Sequence, residues 1–229
     1  MSEKLKFVAI EGGDGSGKKT QSKLLVDYLE EQGRPVLESS FPRYGKHSAR
    51  TVEQYLRGEF GGVNEVAPEL ARAAYAIDRV AAMFDMNDFF EANPTGIIVS
   101  DRYVASNLAH QGTKIDDRKA REEFYADSLE LEYGDLRLPK PDKNIVLLAP
   151  TDIAQQNVDT KATRSYTTAT RDIHEADAGH LDKALRNYQE ITDLYPEEFV
   201  AVWAIDKKTR LMRPIDDIQS EIREHIGVS

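Results

Sequence analysis

The pattern with the clearest chemical meaning is a glycine-rich loop near the N-terminus, which runs from Gly12 to Lys18. Its spacing matches G-x-x-x-x-G-K, a pattern in which backbone N–H groups surround a phosphate and the lysine reaches the terminal phosphates. Glycine suits such a loop because it has no side chain to keep the phosphate away from the backbone. We therefore predict a nucleotide phosphate site at Gly12, Gly13, Asp14, Gly15, Ser16, Gly17, Lys18, Lys19 and Thr20.

The segments on either side of the loop fit this prediction. Apolar residues at 7–10 predict a buried strand, and after the loop Leu24, Leu25, Tyr28 and Leu29 recur at helical spacing. A strand, a glycine loop and a helix form the context that a phosphate-binding loop requires. The positive end of the helix dipole then faces the same anion.

Two residues of the loop need a separate explanation. Lys19 occupies the position where a serine or threonine hydroxyl binds magnesium, and Thr20 comes one residue later. A glycine turn with an incidental lysine therefore remains an alternative. Asp14 would repel a nucleotide phosphate at short range, so we expect it to face a second substrate's hydroxyl or a magnesium ion. A solvated loop aspartate is the alternative.

Composition limits the classes of function. The chain has 229 residues, no cysteine and a formal net charge of −10. This length suits a single α/β domain spanning 1–229, and the negative charge argues against broad nucleic-acid or anionic-membrane binding. Without cysteine there is neither a disulfide nor a thiolate metal site, which fits the cytoplasm. No apolar run is long enough to span a bilayer, and no signal peptide is expected.

A second strand is predicted over 35–41 and ends in the sequence FPRYG. Phe41, Arg43 and Tyr44 thus follow a strand of an open sheet, which is where ligands bind in such folds. The alternative is an ordinary turn with an exposed arginine. The next long helix is predicted over 68–92, and on it Arg72, Tyr75 and Arg79 fall on one stripe. Such a stripe could hold an aromatic base by stacking and hydrogen bonding, unless it is a solvated face.

The apolar side of the same helix is expected to consist of Leu70, Ala73, Ala74, Ile77, Ala81 and Phe84. A third strand over 97–99 then ends in Asp101 and Arg102. An acidic residue that closes an apolar strand in a chain with a phosphate loop is the usual position of an aspartate near magnesium. The arginine beside it could bind a phosphate through two hydrogen bonds. A polar helix face suited to reading a base edge follows at Tyr103, Asn107, His110 and Gln111.

The remaining elements complete an alternating pattern. Strands are predicted over 143–149 and 199–205, and helices separate the strands throughout. This alternation predicts a parallel sheet covered on both faces. A polar, threonine-rich segment over about 161–174 contains Arg164 and Arg171 and is a candidate for a mobile lid. Asp172 and Glu175 follow the second of these arginines.

Several segments together resemble the thymidylate kinase family. They are EGGDGSGK at 11–18, FPRYG at 41–45, AIDR at 76–79, DRYVASN at 101–107, LPKPD at 138–142 and DIHE at 172–175. The phosphate loop alone is nonspecific, whereas DRY with Ser106 and the FPR turn is much more specific. A basic residue after the loop lysine, such as Lys19, also occurs in a bacterial branch of the family.

This resemblance implies a P-loop NTPase fold, a three-layer α/β/α sandwich with a five-stranded parallel sheet and a short lid. It also implies a homodimer and transfer of the γ-phosphoryl group of ATP to dTMP with magnesium. Phe41 and Tyr75 would pack on the thymine ring, and Arg79 would bond its carbonyl. The catalytic residues would be Lys18, Asp14, Arg102, Arg164 and Arg171.

The resemblance implies further roles around the acceptor. Arg102 with Arg43 would hold the phosphate of dTMP. The nucleoside would lie along Asn107, His110 and Gln111, with Tyr44 at the strand end. Magnesium would be held by Asp14, Asp101 and Glu175, and Glu175 would also lie close to the acceptor.

Two departures from the family pattern bear on function. His110 stands where the family usually has a tyrosine or phenylalanine that helps to exclude a 2′-hydroxyl, so action on dUMP or UMP stays an alternative. Gly15 stands where some relatives have a loop arginine, so we predict that the lid supplies the catalytic arginine. A nucleotide-binding regulatory module without catalytic activity is the remaining alternative, and Lys19 is the feature that favours it.

Overall fold

The computed structural model describes residues 5–162 and 178–228 of the chain. The described strands are β1 (Phe7–Gly12), β2 (Val36–Ser40), β3 (Ile97–Asp101), β4 (Lys143–Leu148) and β5 (Phe199–Trp203). They form one sheet in the order β2-β3-β1-β4-β5, and every ladder in it is parallel. The predicted α/β class with a five-stranded parallel sheet is therefore confirmed.

Eight α-helices connect and flank the strands in this described part. They are α1 (Lys18–Glu31), α2 (Arg50–Leu56), α3 (Pro68–Ala92), α4 (Val104–Gly112), α5 (Arg118–Leu129), α6 (Thr151–Ala162), α7 (Ala178–Leu194) and α8 (Ile215–His225). A 3₁₀ turn at His47–Ala49 precedes α2, and a π-helical segment at Glu130–Asp135 continues α5. No helix within the described ranges is long and apolar enough to cross a membrane.

The sheet has a helical layer on each face, because successive strand side chains point to opposite sides. Val8 and Ile10 pack in one apolar cluster with residues of α1 and α8. Phe7 and Ala9 pack in another with residues of α4 and α7. All six residues of β1 are buried, as expected for the central strand of a parallel sheet. This arrangement confirms the predicted three-layer sandwich.

One expectation about α3 is wrong. Leu70, Ile77 and Phe84 are 62%, 55% and 64% exposed, so most of the predicted apolar side does not face the core. The buried side of the helix instead carries small residues together with the polar pair Asp78 and Arg79. Helical periodicity identifies an apolar face, but it does not reveal whether the same chain covers that face.

The strand order brings together the loops that were predicted to bind ligands. Asp101 at the end of β3 is in register with Ile10 of β1 on one side and with Ser40 of β2 on the other. The carboxyl ends of these three strands therefore lie side by side. The strands β2 and β3 lie on one side of β1, and β4 and β5 lie on the other side. Ligands bind at such switch points in open parallel sheets.

The first part of α6 packs directly against the glycine-rich loop. Asn157 Nδ2 donates to the Gly15 carbonyl oxygen at 3.1 Å. Gly15 has a φ of +79°, and a Cβ at this position would overlap the carbonyl oxygen of Ala154. The loop arginine of some relatives could not occupy this position without displacing α6.

Replacing Gly15 with alanine is therefore expected to lower the free energy of unfolding by about 1–3 kcal/mol, through backbone strain and the clash with α6. Gly13 is a matched control because no atom lies within 4 Å of a Cβ built there. Gly13→Ala should change the free energy of unfolding by about 0.5 kcal/mol or less. Urea denaturation of both variants measures this difference, and equal effects would contradict the packing described here.

Candidate active site

A cavity of about 240 Å³ opens at the carboxyl ends of β1, β2 and β3. Its walls come from the glycine-rich loop, the turn after β2, helix α3 and the segment from β3 into α4. The lining residues are Asp14, Ser40, Phe41, Pro42, Tyr44, Leu56, Tyr75, Arg79, Asp101, Arg102, Tyr103, Ser106, Asn107 and His110. Many of the predicted substrate residues are thus brought together around one cavity, although they come from distant parts of the sequence.

The loop lysine lies folded into the glycine-rich loop. Lys18 Nζ donates to the carbonyl oxygen of Gly13 at 2.6 Å and lies 3.7 Å from Asp14 Oδ1. Burial and the neighbouring Arg102 lower the pKa of Lys18 to about 8. An anion bound in the loop would favour the charged lysine, because opposite charges stabilise each other more strongly away from water.

The helix after the loop begins without a side-chain cap. Gly17 is the N-cap of α1, has a φ of +99° and has no side chain that could accept a hydrogen bond from the first N–H groups of the helix. The positive end of the helix thus faces the loop, as an anion site requires. Ser16 is buried, and its Oγ has no hydrogen-bond partner in the described part of the chain. Lys19 is exposed and Thr20 is half-buried.

Arg102 reaches the loop because its backbone is left-handed, with a φ of +67°. Its N–H donates to the Ile10 carbonyl at 2.9 Å, and its own carbonyl accepts from Ser100 Oγ at 2.6 Å. The guanidinium then lies over the glycine-rich loop, where Nη1 is 3.2 Å from the Gly12 carbonyl oxygen and Nη2 forms an ion pair with Asp14. Non-glycine residues adopt this conformation rarely, at a cost of about 1 kcal/mol or more, and such strain is typical of functional sites.

The ion pair between Arg102 and Asp14 fixes the charges at the centre of the site. Burial raises the pKa of the Asp14 carboxyl, but the charges of Arg102 and Lys18 outweigh this effect and hold the pKa well below its usual range. For Arg102, burial lowers the pKa, and Asp14 more than compensates and raises it. Both groups are therefore charged throughout the physiological range of pH.

Glu11 supports this centre, although it is not among the predicted site residues. Its carboxylate is completely buried and accepts from the Tyr103 N–H at 2.7 Å and from Ser106 Oγ at 2.6 Å. Burial raises the pKa of Glu11 above its usual value. These bonds tie the turn that follows Arg102 to the end of β1. A glutamate that interrupts an apolar strand just before a glycine loop was the signal that could have found it.

Aromatic side chains form the wall on the side away from the loop. Phe41 is buried, and its ring meets the edge of Tyr103 at a centroid distance of 5.4 Å. Tyr75 also lines the cavity and meets Tyr55 edge-on at 6.4 Å. Tyr44 is largely exposed at the rim. A flat ring system is the kind of ligand that such a wall suits.

Two polar residues complete this end of the cavity. Arg79 is buried and forms a forked ion pair with Glu132, in which Nε lies 2.7 Å from Oε2 and Nη2 bonds Oε1. Asn107 Nδ2 donates to the Arg72 carbonyl oxygen at 3.3 Å and faces Glu132 Oε1 at 3.4 Å. Arg72 itself points away from the cavity, to Ser128 Oγ at 2.9 Å.

The structure does not place two of the predicted substrate residues in the cavity wall. Arg43 donates from Nε to Asp78 Oδ1 at 3.1 Å and from Nη1 to Asp85 Oδ2 at 3.2 Å, so acidic side chains of α3 neutralise it. Gln111 is completely buried and does not line the cavity. It follows His110 directly, and consecutive helical residues point about 100° apart, which turns it into the interior.

His110 lines the cavity and is held by a hydrogen-bonded chain. Thr113 Oγ1 donates to the His110 carbonyl at 2.8 Å, so its single proton is used and it accepts from His180 Nδ1 at 3.1 Å. When both rings are neutral, His180 Nε2 then accepts from His110 Nδ1 at 3.1 Å. This order makes Nε2 of neutral His110 an acceptor.

The predicted magnesium ligands are Asp14, Asp101 and Glu175. Asp101 lines the cavity, and its buried Oδ1 has no hydrogen-bond partner among residues 5–162 and 178–228. Asp14 instead forms ion pairs with Lys18 and Arg102, and these two cations would compete with a metal ion. The described ranges contain no cluster of three or more metal-ligating side chains. Magnesium is commonly held by one or two carboxylates together with substrate phosphates, so Asp101 fits this role. Arg164, Arg171 and Glu175 lie outside the described residues.

The chain is similar in sequence to known proteins. The thymidylate kinase of Mycobacterium tuberculosis H37Rv is 32% identical over 173 residues, which cover 75% of this chain and 78% of that protein. The thymidylate kinase of Bifidobacterium longum NCC 2705 is 36% identical over 107 residues, or 46% of this chain and 50% of that protein.

A solved structure of the thymidylate kinase from Candida albicans has the same fold. It is similar to this chain with a TM-score of 0.69 and 19% identity, and the match covers 99% of this chain and 93% of that one. The family model described as thymidylate kinase matches residues 10–215, which include the glycine-rich loop and every strand end of the cavity. The chain therefore belongs to the thymidylate kinase family.

Proposed function

We infer that this protein transfers the γ-phosphoryl group of ATP to dTMP and forms dTDP. Membership of the thymidylate kinase family supports an ATP-dependent nucleoside monophosphate kinase. The observation that carries the inference is the ion pair between Arg102 and Asp14. It joins a loop suited to the phosphates of a donor to a cavity suited to an aromatic acceptor.

Phosphoryl transfer depends on alignment and on neutralising charge, and it needs little covalent chemistry from the protein. The backbone N–H groups of the loop and the N-terminus of α1 hold the donor phosphates. Lys18 exchanges the carbonyl oxygen of Gly13 for a phosphate oxygen. The pKa of Lys18 in the ligand-free protein is about 8. The negative charge of the bound phosphate raises this pKa and keeps the lysine protonated.

The acceptor is held from the opposite side. Arg102 binds the phosphate of dTMP and directs it at the loop. Phe41 and Tyr75 enclose the thymine ring, and Arg79 and Asn107 bond its edge. When magnesium is bound, it neutralises charge on the donor phosphates, and Asp101 is the residue proposed to hold it.

The test of this function is ADP release from ATP and magnesium with dTMP, dUMP, UMP, dCMP and thymidine offered separately. We expect turnover to be best with dTMP and to stop when magnesium is chelated. Turnover with UMP at a comparable rate would indicate a broader pyrimidine monophosphate kinase and would make His110 the residue to exchange for tyrosine. Binding of ATP without turnover of any acceptor would instead support a regulatory module.

The catalytic arginine is proposed to come from the lid. The contact between Gly15 and the Ala154 carbonyl leaves no room for a loop arginine, and Arg164 and Arg171 follow on the same segment as α6. An arginine that reaches the transferring group stabilises the charge that develops there.

Replacing both Arg164 and Arg171 with alanine is expected to lower kcat by about 10³-fold or more, because an arginine at the transferring group contributes an effect of that size. The dissociation constant of dTMP should hardly change. Arg118→Ala removes an arginine of α5 that is 72% exposed and does not line the cavity, and it is the control. Full turnover by the double variant would show that the catalytic charge comes from elsewhere.

We infer further that two copies of the chain associate through α3. Leu70, Ile77 and Phe84 recur every seven residues and are more than half exposed, so they form a continuous apolar row. A helix of 25 residues with such a row is long enough to pack against its counterpart in a second copy. The residues of the cavity lie on other sides of the same helix.

Phe84→Glu is expected to convert this dimer into a monomer, because a charge would be buried without a partner. Leu211→Glu is the matched control, since Leu211 is 68% exposed and lies outside α3. Light scattering after gel filtration should give about twice 25.8 kDa for the native protein and for the control, and 25.8 kDa for the variant. A monomeric native protein would refute the association.

A cytoplasmic location is also proposed. The absence of cysteine from all 229 residues is compatible with a reducing compartment, where ATP is also available. Activity recovered only in a membrane or extracellular fraction would refute it.

A further inference from the structure

Glu132 lies directly behind the cavity wall without lining the cavity. It belongs to the π-helical segment Glu130–Asp135 and is completely buried. Burying a carboxylate is costly unless it is paired and hydrogen-bonded. Both of its oxygens accept hydrogen bonds, and two side chains that line the cavity, Arg79 and Asn107, are among the donors.

The first consequence concerns Arg79. Glu132 engages Nε and Nη2, so Nη1 is the guanidinium nitrogen that this pair does not use. A guanidinium can donate hydrogen bonds but never accept them. Burial lowers the pKa of Arg79, but Glu132 outweighs burial and raises it. Arg79 therefore supplies a hydrogen-bond donor to the cavity, and the positive charge of Arg79 is already balanced by Glu132.

The second consequence concerns Asn107, which is only 3% exposed. Its Nδ2 faces two acceptors, Glu132 Oε1 and the Arg72 carbonyl oxygen. If the amide were flipped, its oxygen would face these two oxygens without a proton between them. Glu132 thus fixes the amide, and Asn107 Oδ1 is left as a buried acceptor without a partner among the described residues.

The two residues together present one donor and one acceptor to the edge of a base. Thymine offers a carbonyl acceptor at O4 beside an N3–H donor, whereas cytosine offers an N4–H donor beside an N3 acceptor. The donor of Arg79 therefore matches O4 of thymine, and the acceptor of Asn107 matches its N3–H. On cytosine the same two groups would face another donor and another acceptor. A site built to pair with specific polar groups rejects an analogue strongly, because its own buried groups would be left unpaired.

We propose that Glu132 is a positioning residue that sets the preference for a thymine-type base over a cytosine-type base, by fixing the donor at Arg79 and the acceptor at Asn107. This inference rests on the proposed function and deepens it. Glu132 touches neither the substrate nor the reacting atoms.

Glu132→Gln is the test variant, because glutamine has nearly the same shape but presents a donor in place of one acceptor oxygen. That donor opposes a donor of Arg79 or of Asn107, so at least one of the hydrogen bonds by which Glu132 fixes these two residues is lost. The dissociation constant of dTMP should rise about tenfold or more, and the preference for dTMP over dCMP should fall by a similar factor. The KM for ATP should stay within about twofold, since the glycine-rich loop is not involved.

A matched control separates this effect from loss of a buried pair as such. Glu190 forms a forked pair with Arg121, at 2.7 and 3.1 Å, between α7 and α5 and away from the cavity wall. Glu190→Gln should lower thermal stability without changing the ratio of the dTMP and dCMP dissociation constants. If Glu132→Gln is folded and also leaves this ratio unchanged, Glu132 has a structural role only and the proposal fails.

Glu132→Asp covers the case in which the glutamine variant does not fold. Aspartate keeps two acceptor oxygens but is one carbon shorter, so binding of dTMP should weaken while the preference over dCMP persists. Loss of the preference in this variant, or unchanged binding of dTMP, would overturn the proposal. A failure of the proposed function is distinguishable, because it would show in the native protein as no turnover of dTMP or no preference over dCMP.

Discussion

The ion pair between Arg102 and Asp14 is the interaction on which the rest of the site depends. It joins the end of β3 to the glycine-rich loop after β1, and these segments are 88 residues apart in the chain. The parallel pairing of the two strands brings their ends together, and the left-handed backbone of Arg102 turns the side chain over the loop. A shift of either strand by one residue would point the guanidinium elsewhere.

Buried carboxylates position the cationic and amide groups of the cavity from behind. Glu11 ties down the turn after Arg102, and Glu132 holds Arg79 and Asn107. Neither carboxylate lines the cavity. This division of roles lets the lining residues keep the donors that a nucleotide needs, while their charge and orientation are fixed by partners that water does not reach.

Local patterns predicted most of the sheet and much of the site. Apolar runs that end in glycine or charged residues marked the strands, and Asp14, Phe41 and Arg102 all lie where the strand ends place them. The ion pair of Arg43 could not be predicted from local patterns, because its partner Asp78 lies 35 residues further along the chain. The exposed row on α3 and the role of Glu132 likewise depend on tertiary contacts that no local pattern encodes.

The packing of α6 on Gly15 has a consequence for how such enzymes diverge. A loop arginine cannot be gained here by a single substitution, because the backbone of Ala154 fills the required volume. Placing an arginine in the loop would first require α6 to retreat, and that intermediate would lose the contact of Asn157 with the loop. The present packing of α6 and an arginine in the loop therefore exclude each other.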